Sequence, residues 1–221
     1  MRLDLVDLLR CPRPHEEMPL VCVARTTNGR ELLEATLGCP SCHAEFSVRD
    51  GVAWLGTPAP SAASSGVAAI DPIALAAMLG LASPGGTVAL FGPWGEATRA
   101  LAEIAETHVV LLSDDAAAGI PGLVSVVGGA EGVPFARGTL RALALASDPS
   151  RSGALEACLV SAARVLMHGG RLVAPARCSV PSAFHELARD TRWWVAEHRV
   201  ESPAIALQRA PRPGEPRSDA L

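Results

Sequence analysis

Cys39 and Cys42 stand two residues apart on the proline-containing knuckle of "GCPSCHAEF", and Cys11 and His15 stand three residues apart in "RCPRPHEE". Three thiols and an imidazole are donors that zinc prefers, and gaps of two to five residues let one turn present two ligands together. The pattern C-x3-H, a long gap, then C-x2-C therefore predicts a zinc site made of Cys11, His15, Cys39 and Cys42, with Cys22 and His43 as alternative ligands. Its rival is a set of reduced, partly buried thiols, with His15 on a solvated loop. A redox pair fits less well, because a thioredoxin-like pair opens a helix after a strand, whereas Cys39 follows a hairpin. Cys22 lies in the middle of "PLVCVA" and reads as a small apolar residue packed in a strand.

The elements around these residues are short. Leu5, Leu8 and Leu9 recur at helical spacing over residues 3 to 10, and Pro12 stops that helix. "MPLVCVART", "TNGR" and "ELLEATLG" read as strand, Asn-Gly turn and strand, and "AEFSV" leads through "RDG" into "VAWL". A helix with so small an antiparallel sheet needs a staple, and the metal would supply it. Leu8, Leu9 and Trp54 exceed what such a unit buries internally, which predicts that it docks on the rest of the chain.

Residues 57–68, rich in Pro, Ala and Ser, read as a linker. After it Asp71 and Pro72 form an N-cap and N1 pair, Ile73, Leu75, Ala76 and Leu79 form an inward face, and Gly80 ends the helix. Strands "TVALF", "HVVLL", "LVSVV", "RALALA" and "RLVAPA" then alternate with helices "EATRALAEIAE" and "SGALEACLVSAARVLM", a rhythm that predicts a parallel, doubly wound α/β sheet. "RWWVAEHRV" and "AIALQRA" are expected to pair antiparallel at one edge, and residues 211–221 to form a disordered tail.

Composition narrows the function. The chain has 221 residues, 49% hydrophobic, with a formal charge of -4, which argues against a broad nucleic-acid-binding surface. The acidic start "MRLDLVDLLR" is unlike a signal peptide and no apolar run reaches membrane-spanning length, so a cytoplasmic location is expected. Six cysteines in that setting indicate metal or reduced thiols. Lysine and tyrosine do not occur, which excludes a P-loop lysine, a pyridoxal-phosphate Schiff base and Tyr-Lys dehydrogenase chemistry.

Residues 3 to 55, through "DLLRCP", "CPSC" and "FSVRDGVAWL", resemble the small zinc-binding activators of tRNA methyltransferases and their short bacterial relatives. The family's first pair is usually C-x2-C; Pro14 occupies the second cysteine's position and His15 would substitute. In that family the small subunit docks on a methyltransferase and covers apolar surface. Residues 70 to 209 resemble a class I S-adenosylmethionine-dependent methyltransferase, through "AARVLMHGGRLVAPA" and "VVGGAEGVPFARGTLRALAL". The resemblances imply a small zinc-binding α+β domain (1–56), the linker, and a Rossmann-like methyltransferase domain (69–210).

The same resemblance places S-adenosylmethionine on a glycine-rich turn, here "LFGPWGEAT" with Gly92 and Gly95, and on an acid after the second strand, Asp114 or Asp115, with Glu131 beyond the third. Three family anchors are altered. Leu90 stands for the first acid, Gly129 for the adenine-contacting Asp and Arg141 for a later Asp, while Trp94 puts bulk where the family keeps bare backbone. These losses predict a non-catalytic protein, a pseudoenzyme serving as scaffold or binding a protein partner; an active methyltransferase is the alternative. His185, Glu186 and Asp190 read as a solvated helix face, His168 as a turn residue before Gly169, and Trp193 and Trp194 as a buried edge strand.

Overall fold

The protein is described here from a computed structural model, over residues 1–57, 70–94, 96–114, 119–147 and 153–199. The expected linker beyond Thr57, Gly95, Asp115, the "AIALQRA" segment and the expected tail lie outside the described residues.

The chain begins with α1 (Leu5–Leu8), followed by β1 (Val21–Asn28), β2 (Glu31–Gly38), β3 (Glu45–Arg49) and β4 (Val52–Trp54), an antiparallel meander. Its turns are the glycine turns the sequence calls for, with Gly29 at φ +58° and the Asp50-Gly51 pair at +50° and +76°. In β2, Leu32, Ala35 and Leu37 are buried and Leu33 and Glu34 exposed, as expected of a sheet with one wet face. The helix is shorter than the 3–10 expected. Leu9 is already extended because it bridges Phe135, and Arg10 N–H donates to the Pro134 carbonyl at 2.9 Å, so tertiary pairing replaces another helical turn.

The second part contains α2 (Pro72–Met78), β5 (Thr87–Phe91), α3 (Glu96–Ala105), β6 (His108–Leu112), β7 (Val124–Gly128), β8 (Leu140–Leu145), α4 (Ala154–Val165), β9 (Leu166–Pro175), β10 (Phe184–Arg189) and β11 (Trp193–His198). Its strands lie in the order β7-β6-β5-β8-β9-β11-β10. The first five are parallel, β11 pairs antiparallel with β9, and β10 pairs antiparallel with β11. This is a doubly wound, Rossmann-like sheet. Its central strands are buried on both faces: α2 and α3 cover one, and α1 and α4 the other.

The two parts share one sheet. β4 pairs in parallel with β7, matching Val52 with Val126, Ala53 with Val127 and Trp54 with Gly128, so all eleven strands are continuous. Leu9 is fully buried in the same cluster as Phe135 and α4. The docking expected from surplus apolar residues is thus joined by backbone pairing.

Several expectations are corrected. Asp71 caps α2, accepting from Ile73 N–H at 3.1 Å, but Ile73 is 65% exposed while Leu75 and Leu79 face the core. "FHELAR" is strand β10, not a helix face: pairing with β11 overrides the helix propensity of Glu, Leu, Ala and Arg. His185 and Glu186 are exposed there, Glu186 pairs with Arg189, and Asp190 accepts from the Arg192 and Trp193 amides. β11 lies inside the sheet, between β9 and β10, with Trp194 fully buried. His168 lies within β9, which starts at Leu166.

Candidate functional site

Cys11, His15, Cys39 and Cys42 converge, with their four ligand atoms all within 4.8 Å of one another. Cys11 Sγ lies 3.7 Å from Cys42 Sγ, and Cys39 Sγ lies 3.5 Å from His15 Nε2. Tetrahedral zinc with bonds of about 2.3 Å to sulfur and about 2.0–2.1 Å to nitrogen requires about 3.8 Å and about 3.5 Å for those separations, so the donor set fits that ion. His15 Nδ1 is 2.6 Å from the Glu16 carbonyl; with Nδ1 as donor, the Nε2 lone pair is left for a metal.

The local chain builds each half. Cys39 N–H donates to the Ala44 carbonyl and His43 N–H to the Cys39 carbonyl, which closes the knuckle and puts His43 at φ +56°. Burial pushes the Cys39 thiol up, but hydrogen bonds from the Cys42 and Ser41 amides and the neighbouring thiols bring it down to about 7. Burial raises the Cys11 thiol to about 11. The other half is a loop closed by Cys11 N–H on the Met18 carbonyl at 3.0 Å and by the bridge of Arg10 to Pro19. The alternative ligands stay outside the cluster; Cys22 is half-buried against the core, and burial raises its thiol.

At the carboxyl ends of the parallel strands, Gly92 turns at φ +102° and packs on the end of β8, where a Cβ would come within 3.0 Å of the Ala146 carbonyl oxygen. Leu90 is fully buried. The bulk of Trp94 is not left in the turn: its indole enters the α2/α3 core, donates to the Phe91 carbonyl at 2.9 Å and stacks on Trp193 with centroids 5.5 Å apart. Arg141 donates to the Gly80, Ser83 and Gly85 carbonyls and holds that loop. Asp114 follows β6, and its carboxylate accepts Gly129 N–H at 2.6 Å. Gly129, at φ +68°, meets the segment leaving β4 so closely that a Cβ would come within 2.5 Å of Gly56, and Leu55 N–H donates to the Gly128 carbonyl at 2.9 Å.

A cleft of about 1170 Å³ runs from the Cys-His cluster to the ends of β6 and β7. Cys11 and His15 line it, with Ala154, Ala157, Ser161 and Arg164 of α4 and, beyond the strand ends, Asp114, Gly129 and Glu131. Its wall also holds two charged residues, Glu17 and Arg164, that carry no sequence signal of their own. Glu17 accepts from Arg164 at 2.7 Å and from Arg137 N–H at 3.2 Å, and lies 3.4 Å from Arg10. Burial pushes its carboxyl up, but the Arg137 amide and the Arg164 and Arg10 guanidinium groups outweigh it and hold the pKa below the usual value. No motif announces a pair 147 residues apart. No described helix is long and apolar enough to cross a membrane.

No protein-family model matches the chain, and no curated protein matches it. Among solved structures it is similar to a geranyl diphosphate methyltransferase in complex with GPP and sinefungin, at 21% identity and TM-score 0.38, over 47% of this chain and 43% of that one. It is similar to the antibiotic-resistance methyltransferase Kmr at 15% identity and TM-score 0.40, over 62% of this chain and 97% of that one. It is also similar, at 21% identity and TM-score 0.36, to a chain from the complex between the Haloferax volcanii Trm112 methyltransferase activator and a methyltransferase, over 47% of this chain and 50% of that one.

Proposed function

We propose that this is a non-catalytic, methyltransferase-fold protein that works by presenting a surface to a protein partner. Residues 1–56 are its zinc-stapled, activator-like domain and residues 69–210 its methyltransferase-like domain. The observation that carries this reading is the Asp114 to Gly129 hydrogen bond. A nucleoside would need that carboxylate for its ribose hydroxyls, and here one of its two oxygens is already engaged by the Gly129 amide, joining the ends of β6 and β7 under the segment leaving β4. Leu90 and Gly129 supply no polar side chain in place of the missing acids, which supports the same reading.

Cys11, His15, Cys39 and Cys42 would hold the zinc, whose chemistry here is structural: four protein ligands leave no position for water or substrate. The protein's own groups do the rest. The knuckle amides hold Cys39, the Glu16 carbonyl orients His15, and the β4–β7 ladder keeps the two units together as a tethered partner would at high effective concentration.

The second reading is an active S-adenosylmethionine-dependent methyltransferase, favoured by Asp114 and Glu131 lining one cleft beyond the ends of adjacent parallel strands. Mass spectrometry of freshly purified protein, denatured to release bound small molecules, separates the two. We expect neither S-adenosylmethionine nor S-adenosylhomocysteine; either one at near-stoichiometric amounts overturns the non-catalytic reading.

A further inference from the structure

The loop from Cys11 to Met18 carries two of the four ligands and also Glu17, two residues beyond His15. Glu17 points the other way along the chain's contacts. Its carboxylate takes the Arg164 guanidinium at 2.7 Å and Arg137 N–H at 3.2 Å, and Arg164 in turn donates to the carbonyls of Phe135 at 2.5 Å and Val133 at 3.0 Å. The backbone repeats the connection on both sides of Phe135: Arg10 N–H donates to the Pro134 carbonyl and Ala136 N–H to the Leu8 carbonyl. Val133, Pro134 and Arg164 form one wall of the cleft.

We propose that Glu17 couples occupancy of the four-ligand centre to the order of that cleft wall. This rests on the reading that the cluster binds zinc. A metal that fixes Cys11 and His15 fixes the loop between them and the short step to Glu17, so the carboxylate meets Arg164 and Arg137 without a further ordering cost. Without metal the loop gains freedom, and Arg164 loses the partner that anchors it while it bridges the carbonyls of Val133 and Phe135. Coupling between sites is reciprocal, so the contact with Arg164 must also strengthen metal binding.

The sign of that second effect makes the test decisive. Direct electrostatics predicts that removing the positive charge of Arg164 raises affinity for a cation, whereas coupling predicts a fall. Zinc affinity is measured by competition with a chromogenic chelator for the full chain, Glu17→Gln, Arg164→Gln and the double variant. We expect each single variant to bind zinc about 5–20-fold more weakly, and the double variant no more weakly than either, because both remove one link. Hydrogen exchange of the zinc-loaded proteins is the second readout: residues 133–137 should exchange about tenfold faster in Glu17→Gln than in the parent, with β6 unchanged. Arg164→Gln binding zinc as tightly as the parent or more tightly, or unchanged exchange at 133–137 in loaded Glu17→Gln, overturns the coupling while leaving the zinc reading in place. A parent chain that takes up no zinc overturns both.

Discussion

Trp54 lies directly across a parallel ladder from Gly128, and its ring covers that glycine so closely that a Cβ there would come within 2.4 Å of it. This is where the antiparallel meander becomes part of the larger sheet, so a single absent side chain permits the junction. Gly128→Ala forces either the indole or the β4 backbone to shift, a case of overpacking that costs about 1–3 kcal/mol. At the size of this chain that corresponds to a fall of about 2–4 °C in Tm per kcal/mol. Gly132→Ala is the control, since its Cβ would meet nothing nearer than Ser161 Oγ at 3.9 Å; it should stay within about 0.5 kcal/mol. Thermal denaturation of both variants checks the difference.

Metal content should follow the geometry of the cluster. Purified, chelator-free protein is expected to carry about one zinc per chain, since a meander this small needs a staple. Cys39→Ser should lose it, and Cys22→Ser should keep it, because Cys22 lies outside the four converging residues. Elemental analysis decides; a Cys22→Ser protein without metal would show that the ligand set is wrong.

His108 gives the fold a pH dependence whose sign can be worked out. Burial and the Arg2 charge, opposed by Glu31 and Asp4, lower its pKa to about 4 from an ordinary 6.5, and its Nε2 lies 3.0 Å from Ser125 Oγ, which also accepts Arg2 N–H. The folded chain therefore keeps His108 neutral where the unfolded chain has already bound a proton. The resulting stability is fully present above pH 6.5 and is lost as pH falls towards 4, by an amount on the order of 2–3 kcal/mol. Denaturant unfolding at stepped pH should show this loss in the parent and a flatter profile between pH 6.5 and 5 in His108→Asn.

What could be read in advance follows from how local each signal is. The Cys-His quartet was legible because ligand pairs sit within one turn of chain, and the strands β5 to β9 because strands buried on both faces are continuous apolar runs. The β4–β7 junction was not, since "VAW" carries no mark of the strand it will pair with. Glu17 and Arg164 look like ordinary surface charges until folding brings them together. "FHELAR" misled because its residues favour helix in isolation and only the neighbouring β11 imposes a strand. Trp94 was expected to crowd the glycine turn, but the position of Trp193, 99 residues away in sequence, gives its ring a place in the core.

That the cleft at the strand ends does not hold a methyl donor is tested most directly by calorimetric titration of the zinc-loaded protein with S-adenosylmethionine and S-adenosylhomocysteine. A charge-assisted hydrogen bond to a ribose is worth on the order of 1.5–3 kcal/mol, and each 1.4 kcal/mol is about tenfold in Kd, so losing the ribose and adenine contacts moves a micromolar ligand towards the millimolar range. No saturable heat is expected below about 1 mM for either compound, in the parent and in Asp114→Asn alike. Micromolar binding by the parent that Asp114→Asn abolishes would contradict the non-catalytic reading and establish the enzyme reading in its place.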